Sequence, residues 1–370
     1  MNELEQARAQ INELDAEMAQ LFERRMKACG VIAAYKKEHG LSIRDAAREA
    51  ALIERSRKHV SDKLIEEYYV QFLRNTMDVS CRYQSRLING AKVAYCGVEG
   101  AFAHIAAKKM FPESELISCQ NFGDAYRAVE SGEYDCAVLP IENSYAGEVG
   151  TVMDLLFSGA LYVNQVFDLP IRQNLLVNPG ARLEDIRLVV SHPQALQQCT
   201  GFLEKHGLAV KEYSNTAAAA KYVRESGDKS IAAIASDETA ELFGLELLES
   251  EINDAKNNTT RFAAVSRVQN LPSAPSALRE DENFILMFTV QNKAGALAQT
   301  LNIIGAHGYN MRNLRSRPMK DLQWNYFFYI EAEGNINTEN GRDMLRELSV
   351  ICARLKMAGT FCTGGQLGVV

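Results

Sequence analysis

The chain has 370 residues, 47% of them hydrophobic and 24% charged, with a net charge of −7. At about 100–200 residues per domain this length predicts two or three domains, and the apolar share excludes a wholly disordered chain. The mild acidity argues against nucleic acid or an anionic membrane as partner, and no apolar run approaches the ~20 residues that a bilayer crossing needs. The opening residues Met1-Asn2-Glu3-Leu4-Glu5-Gln6 are polar and helix-forming, so a secretory signal is not expected. The eight cysteines (Cys29, Cys81, Cys96, Cys119, Cys136, Cys199, Cys352, Cys362) show no C-x-x-C spacing. Most sit among apolar neighbours, which predicts reduced core residues in a cytoplasmic protein, without disulfide or zinc roles.

Residues 1–88 read as all helix, with no proline and with glycine only at Gly30 and Gly40. Asn89-Gly90 marks a turn. Residues 91–267 alternate short β-branched runs, such as Lys92-Val93-Ala94-Tyr95 and Cys136-Ala137-Val138-Leu139, with helical segments, which predicts an α/β fold. Pro272 and Pro275 among Ser, Ala and charges predict a linker over 269–283. Residues 284–362 then read strand, helix, strand, strand, helix, strand, with strands over 284–290, 310–315, 325–331 and about 356–361. No internal repeat or low-complexity tract is visible.

In the helical stretch, Leu4, Ala7, Ile11, Leu14, Met18, Leu21, Arg25, Ala28, Ile32 and Tyr35 follow a 3.5-residue spacing over one long helix. Arg25 interrupts that seam, and an unpaired buried charge is expensive enough that it must meet an anion. A salt bridge to a packed helix satisfies this requirement as well as a ligand does. Arg25 and Lys36 lie eleven residues apart, ~16 Å along the axis and nearly on one face, so their side chains can lean together over one small anion. Arg8 lies about 25 Å before Arg25 and is rotated by roughly 100°, so it can join the same ligand only from a second copy of the chain. Asp45 is a plausible N-cap for the next helix, and Ser80 and Gln84 share a face of the third. Three such helices bury little alone, which predicts pairing in a dimer.

Arg8, Arg25, Lys36, Asp45, Arg48, Glu49, Ser80 and Gln84, with the segment Arg44-Asp45-Ala46-Ala47-Arg48-Glu49, resemble the active-site pattern of the all-helical (AroQ-class) chorismate mutases. The resemblance implies a dimeric helical bundle that rearranges the chorismate dianion to prephenate with no cofactor. It implies that Arg25 and the partner copy's Arg8 clamp the two carboxylates. Lys36 and Gln84 would donate to the ether oxygen, and Glu49 would accept from the ring hydroxyl beside the backbone near Asp45. Arg48 would support the site and Ser80 would bind a carboxylate. Those residue types suit a unimolecular rearrangement that needs only conformational restraint and stabilised negative charge.

In the α/β stretch, Gly97-Val98-Glu99-Gly100 follows a strand and opens a helix, but it is not a dinucleotide fingerprint. Glu142, Asn143 and Ser144 end an apolar strand, where ligands of open α/β sheets bind; taken alone they read equally as a turn or cap. His192 and His104 read as capping or satisfied polar residues, and no histidine has acidic or cysteine partners at metal spacing, so no metal is expected. Together Leu139-Pro140-Ile141-Glu142-Asn143-Ser144, Ser191-His192-Pro193-Gln194 and Thr260-Arg261-Phe262 resemble the prephenate dehydratase domain. The implied fold is two α/β lobes around a cleft, like a periplasmic binding protein, with crossings near 165–172 and after about 245. The implied reaction removes carbon dioxide and hydroxide from prephenate to give phenylpyruvate. Thr260 would be the proton donor and Arg261 would bind a carboxylate. Phe262 would line the cleft, and Glu142, Asn143, Ser144 and Gln194 would surround the substrate. Val98, Ala101 and Ala103 stand where the family favours proline and hydroxyl residues, which leaves arogenate open as a substrate.

The βαββαβ order of 284–362, with Gly295-Ala296-Leu297 at a helix start and Ser316-Arg317-Pro318, resembles an ACT regulatory domain of the phenylalanine-binding type. The resemblance implies effector contacts from Gly295, Ala296, Leu297, Asn310 and Ser316 between paired copies. Arg315 stands where the family motif carries glutamate, a reversal of charge. Strand alternation places Trp324, Tyr326 and Phe328 on one side and Phe327 and Tyr329 on the other. The whole therefore reads as a multidomain chain: a mutase domain over 1–88, a dehydratase domain over 91–268, the linker, and an ACT domain over 284–362. A non-catalytic ligand sensor on the same architecture is the rival reading.

Overall fold

The computed structural model describes residues 2–269, 282–320 and 325–362; most of the expected linker, and Trp324, lie outside the described residues. The chain divides into two compact units, one reaching to Ala91 with Glu113–Glu115, the other comprising the remainder.

The first unit is helical. Asn2 accepts a hydrogen bond from the Glu5 backbone N–H and caps α1 (Glu3–His39), which ends where Gly40 turns left-handed at φ 62°. Asp45 caps α2 (Ala46–Ser56), and α3 (Glu66–Asn89) follows. α1 has 37 residues against 24 in α3, so α3 can cover only part of it. The buried residues of α1 are Cys29 and Ala33, both near its C-terminal end. Ala28 and Tyr35, expected on the seam, face outward, because a straight helix drifts from a 3.5-residue repeat by about 20° per heptad. Leu4, Ile11, Leu14, Met18 and Leu21 are about half exposed, an apolar strip that this chain leaves uncovered. No described helix is long and apolar enough to cross a membrane.

The second unit opens with β1 (Lys92–Cys96), α4 (Phe102–Met110), β2 (Glu115–Cys119), α5 (Phe122–Ser131), β3 (Cys136–Asn143), β4 (Gly147–Glu148), α6 (Gly150–Ser158) and β5 (Tyr162–Pro170). The chain then enters a second lobe: β6 (Asn174–Val177), β7 (Leu188–Ser191), α7 (Pro193–Gln198), α8 (Thr200–Lys205), β8 (Ala209–Glu212), α9 (Thr216–Ser226), β9 (Ile231–Ala235), α10 (Asp237–Phe243) and β10 (Glu246–Glu249). It returns through β11 (Thr259–Ser266), and the final module is β12 (Glu282–Val290), α11 (Ala296–Ala306), β13 (Asn310–Pro318), β14 (Tyr326–Glu333), α12 (Glu339–Ile351) and β15 (Cys352–Cys362). The crossings fall at 171–173 and 250–258, as two lobes around a cleft require.

The second lobe is a sheet ordered β10-β6-β9-β7-β8. The first lobe and the final module share one sheet, ordered β13-β14-β12-β15-β5-β11-β3-β1-β2, with β4 on β3. The two are joined where β15 meets β5 in parallel at Gly359 and Val163. A Cβ at Gly359 would collide with the Val163 backbone, so only glycine lets the strands approach there. β12 is buried on both faces. Phe284, Leu286 and Phe288 pack under α11 and α12, whereas Ile285 and Met287 join the first-lobe core. β14 alternates likewise, and the Phe327 ring stacks on Phe157 of α6 with centroids 4.3 Å apart. The final module thus rests directly on the first lobe.

Candidate active sites

The helical unit encloses a cavity of about 130 Å³. α1 contributes Arg25 and Lys36 to its wall, the turn before α2 contributes Asp45, α2 contributes Arg48 and Glu49, and α3 contributes Ser80 and Gln84. Seven of the eight residues expected there are brought together. Arg8, the eighth, is exposed far along α1 and does not line the cavity.

The Arg25 guanidinium donates to the Ser80 hydroxyl, and at 3.4 Å to the Thr76 carbonyl. Lys36 donates to the Ile43 carbonyl across the turn. Asp45 accepts the Arg48 backbone N–H at 2.9 Å, so its carboxylate already serves as a cap. Three cations against one carboxylate beyond the capping Asp45, that of Glu49, which accepts the Cys81 thiol at 3.8 Å, leave the cavity suited to an anion. Gln84 is 6% exposed and its Oε1 has no hydrogen-bond partner. Such a buried polar atom is normally satisfied, so it marks the wall where a polar ligand fits. Cys81, missed in the sequence, also lines the cavity; burial pushes its thiol pKa up, and the adjacent Glu49 pushes the same way.

In the first lobe, Pro140 interrupts the ladder between β3 and β11. Arg261 pairs with Glu142, but Phe262 pairs with Pro140, so β3 carries an extra residue, Ile141. Proline has no N–H to give, which suits it to a bulge. A one-residue slip moves every later side chain to the other face. The bulge therefore turns Asn143 to the same side as Thr260, its direct cross-strand partner, and turns Glu142 to the opposite side with Arg261.

The Asn143 amide is fixed from both ends. Its Oδ1 accepts the backbone N–H groups of Tyr145 and Ala146 at 3.0 and 2.8 Å. Its Nδ2 donates to Thr260 Oγ1 at 2.9 Å and to Asn258 Oδ1 at 2.8 Å. Because Thr260 accepts this bond, its own hydroxyl proton is free to be donated elsewhere. Asn258 is 3% exposed and its Nδ2 has no partner, which makes it a polar group that sequence reading recorded only as part of a cluster. Ser144 bridges the same strands, donating to the Asn257 carbonyl and accepting from the Thr259 N–H. Gln194 lies in the other lobe at the start of α7, which His192 caps by accepting the Gln194 N–H. His104 accepts the Gly100 N–H, and burial holds its pKa below the usual imidazole value.

The expectation for Phe262 needs correction, and Arg261 and Glu142 line a cavity of about 730 Å³, with Ser144, that Thr260 does not line. Phe262 is 2% exposed within the core formed with Val93, Tyr95 and Leu169, so it supports the strand instead of lining a cleft. Arg261 is engaged on the face away from Thr260: its Nε meets Asp168 at 2.8 Å and its Nη1 meets Glu331 of β14 at 3.1 Å. Glu142 shares that far face and pairs with Arg315 of β13. Strand alternation after the bulge accounts for both polar residues.

In the final module, Gly295 (φ 80°) precedes α11, Ala296 and Leu297 start it, and Asn310 opens β13, where its Nδ2 donates to Glu333 at 2.6 Å. Ser316 lies six residues further along the strand, about 20 Å from Asn310 by extended-chain geometry. One copy of the chain therefore does not gather these residues around a small ligand.

A helical unit with a polar cavity, a two-lobed α/β body and a βαββαβ module define a multidomain enzyme with a regulatory domain. Models of three families match in that order: chorismate mutase type II over residues 7–85, prephenate dehydratase over 93–270 and the ACT domain over 284–349. A bifunctional chorismate mutase/prephenate dehydratase of Enterobacter agglomerans is 31% identical over 97% of this chain and 96% of its own length. An arogenate dehydratase/prephenate dehydratase of Arabidopsis thaliana is 33% identical over 74% of each chain. The crystal structure of a prephenate dehydratase from Arthrobacter aurescens in complex with L-Phe superposes with a TM-score of 0.66 and 29% identity, over 75% of this chain and 92% of that one. This chain belongs to the bifunctional chorismate mutase/prephenate dehydratase family.

Proposed function

We propose that the chain makes phenylpyruvate from chorismate in two steps of phenylalanine biosynthesis. The helical unit rearranges chorismate to prephenate, and the two-lobed body dehydrates and decarboxylates prephenate. The end-to-end match to a relative named for both activities carries this reading. It also favours prephenate over arogenate, because the relatives that match the chain from end to end are named for prephenate.

For the first step, Arg25 and Ser80 hold one carboxylate. Arg8 of a second copy holds the other, since this chain's own Arg8 stands outside the cavity. Lys36 and Gln84 stabilise the negative charge that grows on the ether oxygen, and Glu49 accepts from the ring hydroxyl. Arg48 supports that set, and Asp45 holds α2 in place. For the second step, Thr260 donates its proton to the departing hydroxyl while carbon dioxide leaves and the ring becomes aromatic. Asn143, donating to Thr260 Oγ1, orients that hydroxyl. Ser144 and Asn258 keep the two strands in place, and Gln194 reaches the substrate from the other lobe. The ACT module binds phenylalanine between paired copies through Gly295, Ala296, Leu297, Asn310 and Ser316. The assembly is at least a homodimer in the cytoplasm, needs no cofactor and acts on small molecules.

The test is to feed chorismate to the full chain and follow prephenate and phenylpyruvate with and without phenylalanine. Both products are expected, with phenylpyruvate suppressed by phenylalanine. Absence of phenylpyruvate refutes the dehydratase assignment and leaves a ligand sensor as the better reading. Faster turnover of arogenate than of prephenate overturns the substrate.

A further inference from the structure

We infer that Arg315 and Glu331 of the ACT module are positioning residues for the dehydratase site, acting through Glu142 and Arg261 on Asn143 and Thr260. The inference rests on the proposed role of Thr260. Asn143 and Thr260 are neighbours across β3 and β11, and each is followed or preceded on its strand by a charged residue that points the other way. Those two residues are the ones the ACT module grips. Arg315 pairs with Glu142, and both are about three-quarters buried. Glu331, 4% exposed at its side chain, receives Arg261 at 3.1 and 3.3 Å. Asp168 of β5 holds the same guanidinium at 2.8 Å, so one arginine ties β11 to β5 and to β14 at once.

The grip falls beside the bulge. The bulge between Pro140 and Glu142 breaks regular pairing just before Asn143, which pairs again with Thr260 on one side and Gly147 on the other. Ion pairs on the reverse face fix the tilt of both strand ends, and thereby the direction of the Thr260 hydroxyl. Burial raises the Glu331 pKa while Arg261 opposes it, as a desolvated partner held against a cation requires. Arginine at 315 suits this contact, since an acid there would repel Glu142 across it.

The test measures dehydratase kinetics on the full chain, with prephenate supplied directly, for Arg315→Gln, Glu142→Gln, the pair combined, and Arg315→Lys. A thermal melt of each sample confirms folding. Expected is a fall in kcat of about tenfold or more for each glutamine variant, from small misplacement of the reacting hydroxyl. KM should stay within about twofold, because Arg315 touches no substrate. The combined variant should lose no more than the worse single one, and Arg315→Lys should recover most of the rate. Should Arg315→Gln melt early, Glu142→Gln carries the test from the other partner. Unchanged kcat, losses that multiply, or a lysine variant no better than glutamine overturns the inference. A wild-type chain that yields no phenylpyruvate overturns the proposed function first, and this inference with it.

Discussion

Individual side chains carry the chemistry at both sites, and their settings differ in kind. Arg25 is half-buried against Ser80 and Thr76, in a cavity that also contains Lys36 and Arg48. Arg25→Ala should lower chorismate turnover by about a hundredfold or more, the scale of losing a charge-stabilising donor. Far-ultraviolet circular dichroism should be unchanged, because α1 is capped and packed by other residues. Unaltered turnover would contradict the placement of the substrate. Thr260 asks for a different readout. Thr260→Ala should abolish phenylpyruvate formation while chorismate is still consumed and prephenate accumulates; continued phenylpyruvate production would remove Thr260 as proton donor. In the helical cavity, spacing made the pairs Arg25 with Lys36 and Ser80 with Gln84 legible, and the family resemblance supplied Asp45, Arg48 and Glu49. The directions of Glu142 and Arg261 were not. They depend on one extra residue, Ile141 beside Pro140, and a bulge leaves only a weak trace in a sequence.

At the scale of elements, α6 is the handle by which the ACT module holds the dehydratase body. Arg317 meets Asp154 at mid-helix at 2.6 Å and Glu148 of β4 at 3.0 Å, with Lys320 at 2.9 Å from Asp154. At its C-terminal end, Lys356 donates to the carbonyls of Leu156 and Gly159, and Arg354 donates to that of Phe157 at 2.8 Å. Cations suit a helix C-terminus, where carbonyls lack partners. Burial lowers the Lys356 pKa to about 8, with Arg354 pushing the same way and Glu130 opposing. Lysine in an unfolded chain titrates near ~10.4. Below pH 8 both states hold the proton; between about 8 and 10.4 the unfolded chain binds more protons, so this group makes stability rise with pH. Urea midpoints of wild type and Lys356→Met, compared from pH 7 to 10.5, should show a difference that climbs across that window. A flat difference would contradict a buried ammonium. The order of elements in the last module could be read from period and turn residues, but its far face could not. Phe327 and Tyr329 alternate correctly in sequence, yet nothing local says that their side meets α6.

For the whole molecule, the half-exposed apolar strip of Leu4, Ile11, Leu14, Met18 and Leu21 needs a cover. A second copy of α1 would supply it, and would bring a foreign Arg8 toward the cavity. Mixing inactive Arg8→Ala and Arg25→Ala chains after mild dissociation should restore mutase activity. Each mixed pair has one site with both arginines intact and one with neither. No recovery would place Arg8 outside the site. The mismatch between the 37-residue α1 and the 24-residue α3 is the physical basis, and it was hidden until the helix ends were known.

The strand junction at Gly359 and Val163 has a consequence for anyone wishing to work with the dehydratase body alone. β15 meets the border of β5 at one residue pair, but a chain stopped at residue 269 would also uncover the first-lobe core against which Ile285, Met287, Phe327 and Phe361 pack. That stub should stick to its own kind, visible as rising light scattering at concentrations where the intact protein stays clear. The last module is therefore part of the packing of the body beside it, and changes to it are better made one residue at a time.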